Sequence, residues 1–231
     1  MCKFVPEKGG KMTQKQVVSG DGSHTFYSMR FNEHYHSMFG AVQESEHIFI
    51  RYGLAAVAAQ TGRINLFEVG FGTGLNALLS YRYTMKNGLT INYKAVEPYP
   101  VMLEEAEKLN YPEILKLERD PFLKMHTVKN ESLKIDSRFT LTVETKKLSE
   151  ISLENGSVHL VYFDAFSPDV QPEMWEESCF ELLYCAMQRG AVMVTYSTKG
   201  TVKRAIKHAG FIIEKLPGPP GKREVLRAVK L

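Results

Sequence analysis

The chain has 231 residues, 44% hydrophobic and 24% charged, with a net charge of +3, the balance of an ordinary globular protein. That length fits one large domain, or one with a small N-terminal addition, and no apolar run approaches the roughly 18 residues of a membrane-spanning helix. Cys2, Cys179 and Cys185 form no CxxC pair, and the Lys-rich start carries no signal-peptide stretch, so a cytoplasmic protein with free thiols, no metal and no membrane attachment is expected. In chain order, residues 1 to 15 read as a polar arm and Val17 to Met29 as a hairpin about the tight-turn pair Asp21-Gly22. Apolar periodicity predicts a helix from Ala41 to Gln60, closed by Thr61-Gly62. Strands and helices then alternate: strand Asn65 to Val69, helix Leu75 to Lys86, strand Ile91 to Val96, helix Val101 to Leu109. Residues 111 to 137 are charged and fit one or two short inserted helices. Strands at Phe139 to Val143 and Val158 to Phe163 follow, then an amphipathic helix from Pro172 to Met187 that places Trp175 and Phe180 in the core. Strand Ala191 to Tyr196 and helix Thr201 to Ala209 lead to strands Phe211 to Leu216 and Glu224 to Val229, joined only by Pro217-Gly-Pro-Pro-Gly221.

Two strands joined without a helix must pair antiparallel. The pattern therefore predicts an α/β, Rossmann-like domain over residues 61–231. Its mostly parallel seven-stranded sheet ends in an antiparallel hairpin, and residues 1–60 pack on it as an N-terminal extension. That ending belongs to the class I methyltransferase variant of the doubly wound fold.

The most informative run is Glu68-Val-Gly70-Phe-Gly72-Thr-Gly74-Leu-Asn76, directly after a strand and opening a helix. A glycine loop there lets backbone approach a ligand at the carboxyl end of the sheet. Glu97 closes the next strand, 23 residues beyond Gly74, where a carboxylate can accept hydrogen bonds from two ribose hydroxyls. The GxGxG spacing leaves no glycine at the place of the third glycine of GxGxxG pyrophosphate binders. Glu68 would repel a pyrophosphate, yet it suits the ammonium group of S-adenosyl-L-methionine, directly or through water. Glu68, Gly70, Gly72, Gly74, Asn76 and Glu97 are thus the expected cofactor side.

Asp164 follows the strand Val158 to Phe163, whose carboxyl end faces the transferred methyl group in such a fold. There it either accepts a hydrogen bond and a proton from an amine nucleophile or caps the turn after the strand. Phe166 and Pro168 can wall the pocket and offer a flat face to a base. Glu33, His34 and His36 lack the context of a metal site and either line a substrate surface or pack. Lys199 to Leu231 holds nine Lys or Arg against two Glu, a net of +7, so the rest of the chain sums to −4. This basic segment, with Lys222 and Arg223 beyond the Pro-Gly loop, either holds phosphates or is simply solvated.

The residues at this point resemble a known family. The glycine run, Asp164-Ala-Phe-Ser-Pro168 with Pro172-Glu-Met-Trp175, and Gly218-Pro-Pro-Gly-Lys-Arg-Glu-Val-Leu226 look like the MnmC/MnmD methyltransferases. Asp21-Gly-Ser-His-Thr-Phe-Tyr27 and Glu44-Ser-Glu-His-Ile-Phe49 match as well, so the resemblance covers about residues 17 to 230. It implies methylation of the primary amine of 5-aminomethyl-2-thiouridine at the tRNA wobble position, with the anticodon stem-loop as partner. Gly70, Gly72, Gly74 and Glu97 would hold the cofactor, Asp164 would adjoin the acceptor amine, and Tyr27, Glu46 and Phe49 would be pocket residues. The chain ends at Leu231, which resembles the stand-alone type without an oxidase domain, so separate enzymes would supply the aminomethyl group. The sequence departs from the family at residues 111 to 137 and at Lys146-Lys147, where an acid commonly meets adenine; Glu144 is the substitute. Two other readings remain: transfer of a methyl or aminopropyl group to a small amine, and a nucleoside- or tRNA-binding module without chemistry.

Overall fold

The computed structural model describes residues 14–231. The expected polar arm falls almost entirely outside the described residues, as does Cys2. The hairpin forms as β1 (Gln14–Val18) and β2 (His24–Ser28), antiparallel, and β3 (Glu33–His34) adds a third strand beside β2. Asp21 organises its turn. The carboxylate accepts hydrogen bonds from the backbone N–H of Ser23 at 3.0 Å and of Gln43 at 2.9 Å, which ties the hairpin to the following helix.

That helix is one rod with an unusual centre. α1 (Ala41–Ser45) runs into a π-helical stretch, Glu46–Leu54, and on into α2 (Ala55–Ala58). A π segment this long departs from the rare single-turn bulge, a feature found mostly near functional sites.

The central sheet contains β4 (Arg63–Val69), β5 (Thr90–Val96), β6 (Ser132–Lys134), β7 (Phe139–Glu144), β8 (Val158–Phe163), β9 (Met187–Thr195), β10 (Ile212–Pro217) and β11 (Glu224–Val229). Its order is β10-β11-β9-β8-β4-β5-β7-β6. β9, β8, β4, β5 and β7 are parallel, and the β10–β11 hairpin closes one side antiparallel. All seven expected strands are present. The eighth, β6, is a short antiparallel edge strand on β7, formed by the charged insert that sequence periodicity could not classify.

Alternation along the strands divides the core, because successive side chains point to opposite faces. Leu66, Tyr93, Leu160, Tyr162 and Val194 pack with the rod and α3 (Leu75–Asn87). Phe67, Val69, Val161, Phe163 and Met193 pack with α7 (Glu177–Ala186) and α8 (Gly200–His208). Between β5 and β7 lie α4 (Leu103–Ala106), α5 (Tyr111–Leu115) and α6 (Arg119–Met125). The insert thus does carry two short helices.

Two expected helices are shortened. Val101 to Leu109 contributes only α4. The helix expected from Pro172 to Met187 breaks at Glu176, whose backbone is extended, leaving a 3-10 turn over Pro172–Trp175 and a separate α7. The cause lies at Trp175. Its indole N–H donates to the Phe166 carbonyl at 2.8 Å and its ring packs on Phe163, so the turn is recruited to the loop after β8. Met187 then begins β9. Both Trp175 and Phe180 are buried.

Chain direction reverses about β4. The strands that follow it run outward through β5 and β7, then return to β8 on its other side. The crevice at the carboxyl ends of β4, β5 and β8 is where open α/β sheets bind ligands.

Candidate active site

The glycine loop leaves β4 at this crevice. Gly70 has φ +88°, and a Cβ there would lie 2.5 Å from the Asp164 carbonyl oxygen. Glycine is therefore required for the tips of β4 and β8 to approach, an approach fixed by the Asp164 N–H donating to the Val69 carbonyl at 2.9 Å. Gly72 (φ +51°) faces the Tyr35 ring, and Gly74 (φ +73°) leads into α3.

Glu97 stands at the end of β5. Its two oxygens accept the Gly72 N–H at 3.0 Å and the Tyr99 N–H at 2.9 Å. Burial raises its pKa, and these two backbone bonds pull it partly back. No cation pairs with Glu97 among the described residues, so its remaining acceptor capacity faces the cleft.

Glu68 lies beneath the loop and is fully buried. Tyr93 Oη donates to its Oε2 at 2.7 Å and Asn76 Nδ2 to its Oε1 at 2.9 Å. Burial pushes its pKa well above the usual range. The same Asn76 nitrogen donates to Asp164 Oδ2 at 2.8 Å. Asp164, at the end of β8, is raised to about 7, first by burial and then by the charge of Glu44, against the Asn76 hydrogen bond and Lys222. A carboxyl group so placed exchanges a proton near neutrality.

Glu97, Gly70, Gly72 and Asp164 share one cleft of about 830 Å³, a size that holds a nucleoside-sized ligand with room for an acceptor. Aromatic rings wall its β8 side. Phe166 packs on Phe31 at 4.5 Å and on Tyr35 at 4.9 Å, and Tyr99 adjoins Phe31. Glu33 steadies this wall by accepting the Ser167 N–H at 3.0 Å, and Tyr196 donates to the Ala165 carbonyl at 2.9 Å. At the rim, Lys222 Nζ meets Glu44 Oε2 at 2.5 Å and lies 4.4 Å from the centre of the Tyr196 ring. His34 and His36 line the cleft; burial and Lys222 push His36 down to about 4, so it is neutral at physiological pH. No group of three or more His, Cys, Asp or Glu suited to a metal occurs among the described residues.

The expected site residues thus fall into three sets. Gly70, Gly72, Glu97, Asp164, Phe166 and Lys222 meet at the cleft. Glu68, Gly74 and Asn76 sit behind its wall. The structure does not bring Tyr27, Glu46, Phe49 or Pro168 to the cleft. Tyr27 bonds Asn32, and Phe49 is core, packed on Tyr162 at 5.1 Å. Glu46 pairs with Arg82 on α3. Two residues along a helix turn roughly 200°, so Glu44 faces the cleft while Glu46 faces away. Pro168 lies just past the wall residue Ser167. Arg223 instead lines a smaller neighbouring cleft with Ser197, Thr198 and Lys199. Glu144, the substitute adenine partner, is held by Lys94 and Lys146 at 3.3 and 3.2 Å, off the cleft. Lys147, Leu148 and Ser149 occupy that end.

Sequence reading missed Glu44, Phe31, Tyr35, Tyr99 and Tyr196 as wall residues. The signal available was the polar-aromatic segment from Phe31 to His36, too irregular for a helix or strand yet rich in rings.

Comparison with known proteins agrees with this geometry. Residues 108–231 match a family model described as S-adenosyl-L-methionine-dependent methyltransferase. The chain is 28% identical over 223 residues to the tRNA 5-methylaminomethyl-2-thiouridine biosynthesis bifunctional protein MnmC of Leptospira borgpetersenii, covering 91% of this chain and 34% of that protein. It is 31% identical over 220 residues to the MnmC of Magnetococcus marinus, covering 89% of this chain and 32% of the relative. It spans about a third of the length of these curated relatives. Among solved structures, MNMC2 from Aquifex aeolicus superposes with a TM-score of 0.76 at 25% identity, over 97% of this chain and 71% of that one. Spermidine synthase from Thermotoga maritima shares the fold, with a TM-score of 0.54 at 11% identity over 94% of this chain and 72% of that one.

Proposed function

The chain belongs to the S-adenosyl-L-methionine-dependent methyltransferases, and we propose that it methylates the primary amine of 5-aminomethyl-2-thiouridine at the tRNA wobble position, giving the 5-methylaminomethyl product. One observation carries the proposal: a carboxyl group poised near neutrality, Asp164, shares an aromatic-walled cleft with a ribose-type acceptor, Glu97. The relatives named for this modification support the substrate.

The residues fit the cofactor. Glu97 offers unpaired acceptor capacity to two hydroxyls, Gly70 and Gly72 leave backbone bare beside it, and neutral His36 adds no positive charge. When bound, S-adenosyl-L-methionine supplies a methyl group on a cationic sulfur. Gly70, Gly72 and Glu97 would hold it, and Gly74, Asn76 and Glu68 would support the loop from behind. Asp164 accepts a hydrogen bond from the acceptor amine, aims its lone pair and takes the proton released on transfer. Orientation supplies much of the acceleration. Phe31, Tyr35 and Phe166 present faces on which an unstacked base can rest, the usual mode for single-stranded RNA. Lys199 and Arg223 beside the cleft are suited to the phosphates of the anticodon stem-loop.

Residues 61–231 then form the catalytic domain, and the extension up to residue 60 contributes its acceptor-side wall. Activity on tRNA implies a cytoplasmic enzyme. No helix among the described residues is long and apolar enough to cross a membrane. Mass spectrometry of digested tRNA tests the proposal. Incubation with S-adenosyl-L-methionine and tRNA bearing the aminomethyl group should add one methyl at the wobble uridine. Transfer to small amines but not to tRNA would refute the assignment.

A further inference from the structure

We infer that Asn76 and Glu68 are positioning residues for Asp164: the buried Glu68 carboxyl holds the Asn76 amide, and that amide occupies one oxygen of Asp164 so that the other serves the methyl acceptor. The inference rests on the role proposed for Asp164 and assigns Glu68 to that residue rather than to the cofactor's ammonium group.

Three distances define the chain: Tyr93 Oη to Glu68 Oε2, 2.7 Å; Asn76 Nδ2 to Glu68 Oε1, 2.9 Å; Asn76 Nδ2 to Asp164 Oδ2, 2.8 Å. An amide nitrogen has two hydrogens, and here each meets a carboxyl group. The Asn76 side-chain oxygen, by contrast, is buried without a partner. Asn76 is 3% exposed, in the first turn of α3. Packing alone would favour an apolar helix former there, since an orphaned buried carbonyl destabilises. The amide is retained at a cost in its oxygen, and what its nitrogen gains is a fixed grip on two acids 96 residues apart in sequence. Glu68 is 0% exposed and does not reach the cleft, so a ligand there meets it only through Asn76 or Asp164.

The arrangement sets protonation as well as direction. Asp164 is faced by Glu44 from α1, Glu68 on β4, Tyr93 on β5, Tyr196 beyond β9 and Lys222 between β10 and β11, with Glu33 of β3 behind the loop. Burial and Glu44 favour the protonated form; the Asn76 hydrogen bond and Lys222 oppose them. Removing the amide tips that balance toward the acid, which cannot accept a proton at pH 7.

The test is an infrared titration of the Asp164 carboxyl, read as a difference against Asp164→Asn, together with steady-state kinetics on tRNA and calorimetry with S-adenosyl-L-methionine. Wild type should titrate near 7. In Asn76→Ala, or Asn76→Ser if that variant does not fold, the midpoint should rise by roughly one pH unit. Its kcat at pH 7 should fall about tenfold or more, while cofactor affinity stays within about threefold. Glu68→Gln keeps an acceptor for Asn76 and should retain kcat within about threefold, whereas Glu68→Ala should behave like Asn76→Ala. An unmoved midpoint in the Asn76 variant overturns the inference. So does a loss of about tenfold in cofactor affinity in Glu68→Gln, which would make Glu68 a ligand of the cofactor. If wild type transfers no methyl to tRNA, the substrate assignment fails, and the infrared midpoints still decide the positioning role.

Discussion

On the β4–β5 side, the cleft is set by backbone: three glycines with positive φ, and two N–H groups that fix the Glu97 carboxylate. On the β8 side it is built by side chains, with Glu33, Glu44, Asp164, Tyr196 and Lys222 arriving from five segments: Glu33 and Tyr196 grip the loop backbone, Glu44 pairs with Lys222, and Asn76 holds Asp164. The first half depends on few residues close in sequence and has little room to vary. The second half is assembled by tertiary contact, and its charges balance one another. The two halves should therefore fail differently, one in cofactor binding and the other in transfer and its pH dependence.

The largest effects should fall on the backbone half. Gly72→Val puts a branched side chain where φ is +51° and the Tyr35 ring is 3.2 Å away. Glu97→Ala removes the acceptor proposed for the ribose and the one that two N–H groups use. Each should lower S-adenosyl-L-methionine affinity below calorimetric detection, at least about a hundredfold. Full affinity in a folded variant would break the comparison at its root.

Asp164→Ala should reverse that pattern, with cofactor affinity retained and transfer reduced by roughly two orders of magnitude. A drop of a few-fold would reduce Asp164 to a structural turn residue. The two outcomes together, measured on the same tRNA, separate the halves.

A third measurement concerns pH. Because Asp164 is raised to about 7, transfer should rise with pH through that value and level off above it. Stability runs the other way. Between the unfolded carboxyl value near 3.8 and the folded value near 7, the native state binds more protons than the unfolded chain, so Asp164 weakens the fold as pH rises through this window. Asp164→Asn should therefore melt a few degrees above wild type at pH 8, and the gap should close toward pH 4. A constant gap would mean that the group is not buried as a strained acid.

The same contrast explains how much was legible in the sequence. The glycine run, the alternating strands and the helix-free ending are local patterns, and all seven expected strands formed with small boundary changes. Asp164 could be found because it follows a continuous apolar strand. Phe166 could be named as a wall because it follows Asp164 so closely, and Glu33, His34 and His36 as candidates for a substrate surface; how the wall is assembled could not be read, since Glu33 meets Ser167 across 134 residues and no periodicity reports such a contact. Glu46 and Phe49 share a sequence run with Glu44, but helix geometry decides which of them faces the cleft. Glu68 reads as a cofactor residue because an acid before the glycine loop suits an ammonium group, whereas its bonds to Tyr93 and Asn76 appear only in three dimensions. The strand β6 comes from a charged segment whose exposed residues carry no hydrophobic alternation.

The smallest expected effect lies outside both halves, at the neighbouring cleft. Arg223 has no ion pair among the described residues, and Lys199 is held only by exposed Asp169. Exposed pairs contribute little, so Lys199 can exchange Asp169 for a phosphate at small cost. Each cation bound to an RNA phosphate releases about one counterion. Arg223→Ala should thus weaken tRNA binding a few-fold and reduce the slope of log affinity against log salt by about 0.7 to 0.9. Transfer at saturating tRNA should not change, because neither residue reaches Asp164. An altered kcat with an unchanged salt slope would move Arg223 from the RNA surface into the acceptor wall. It would then join the balance of charges around Asp164, on which Lys222 already acts.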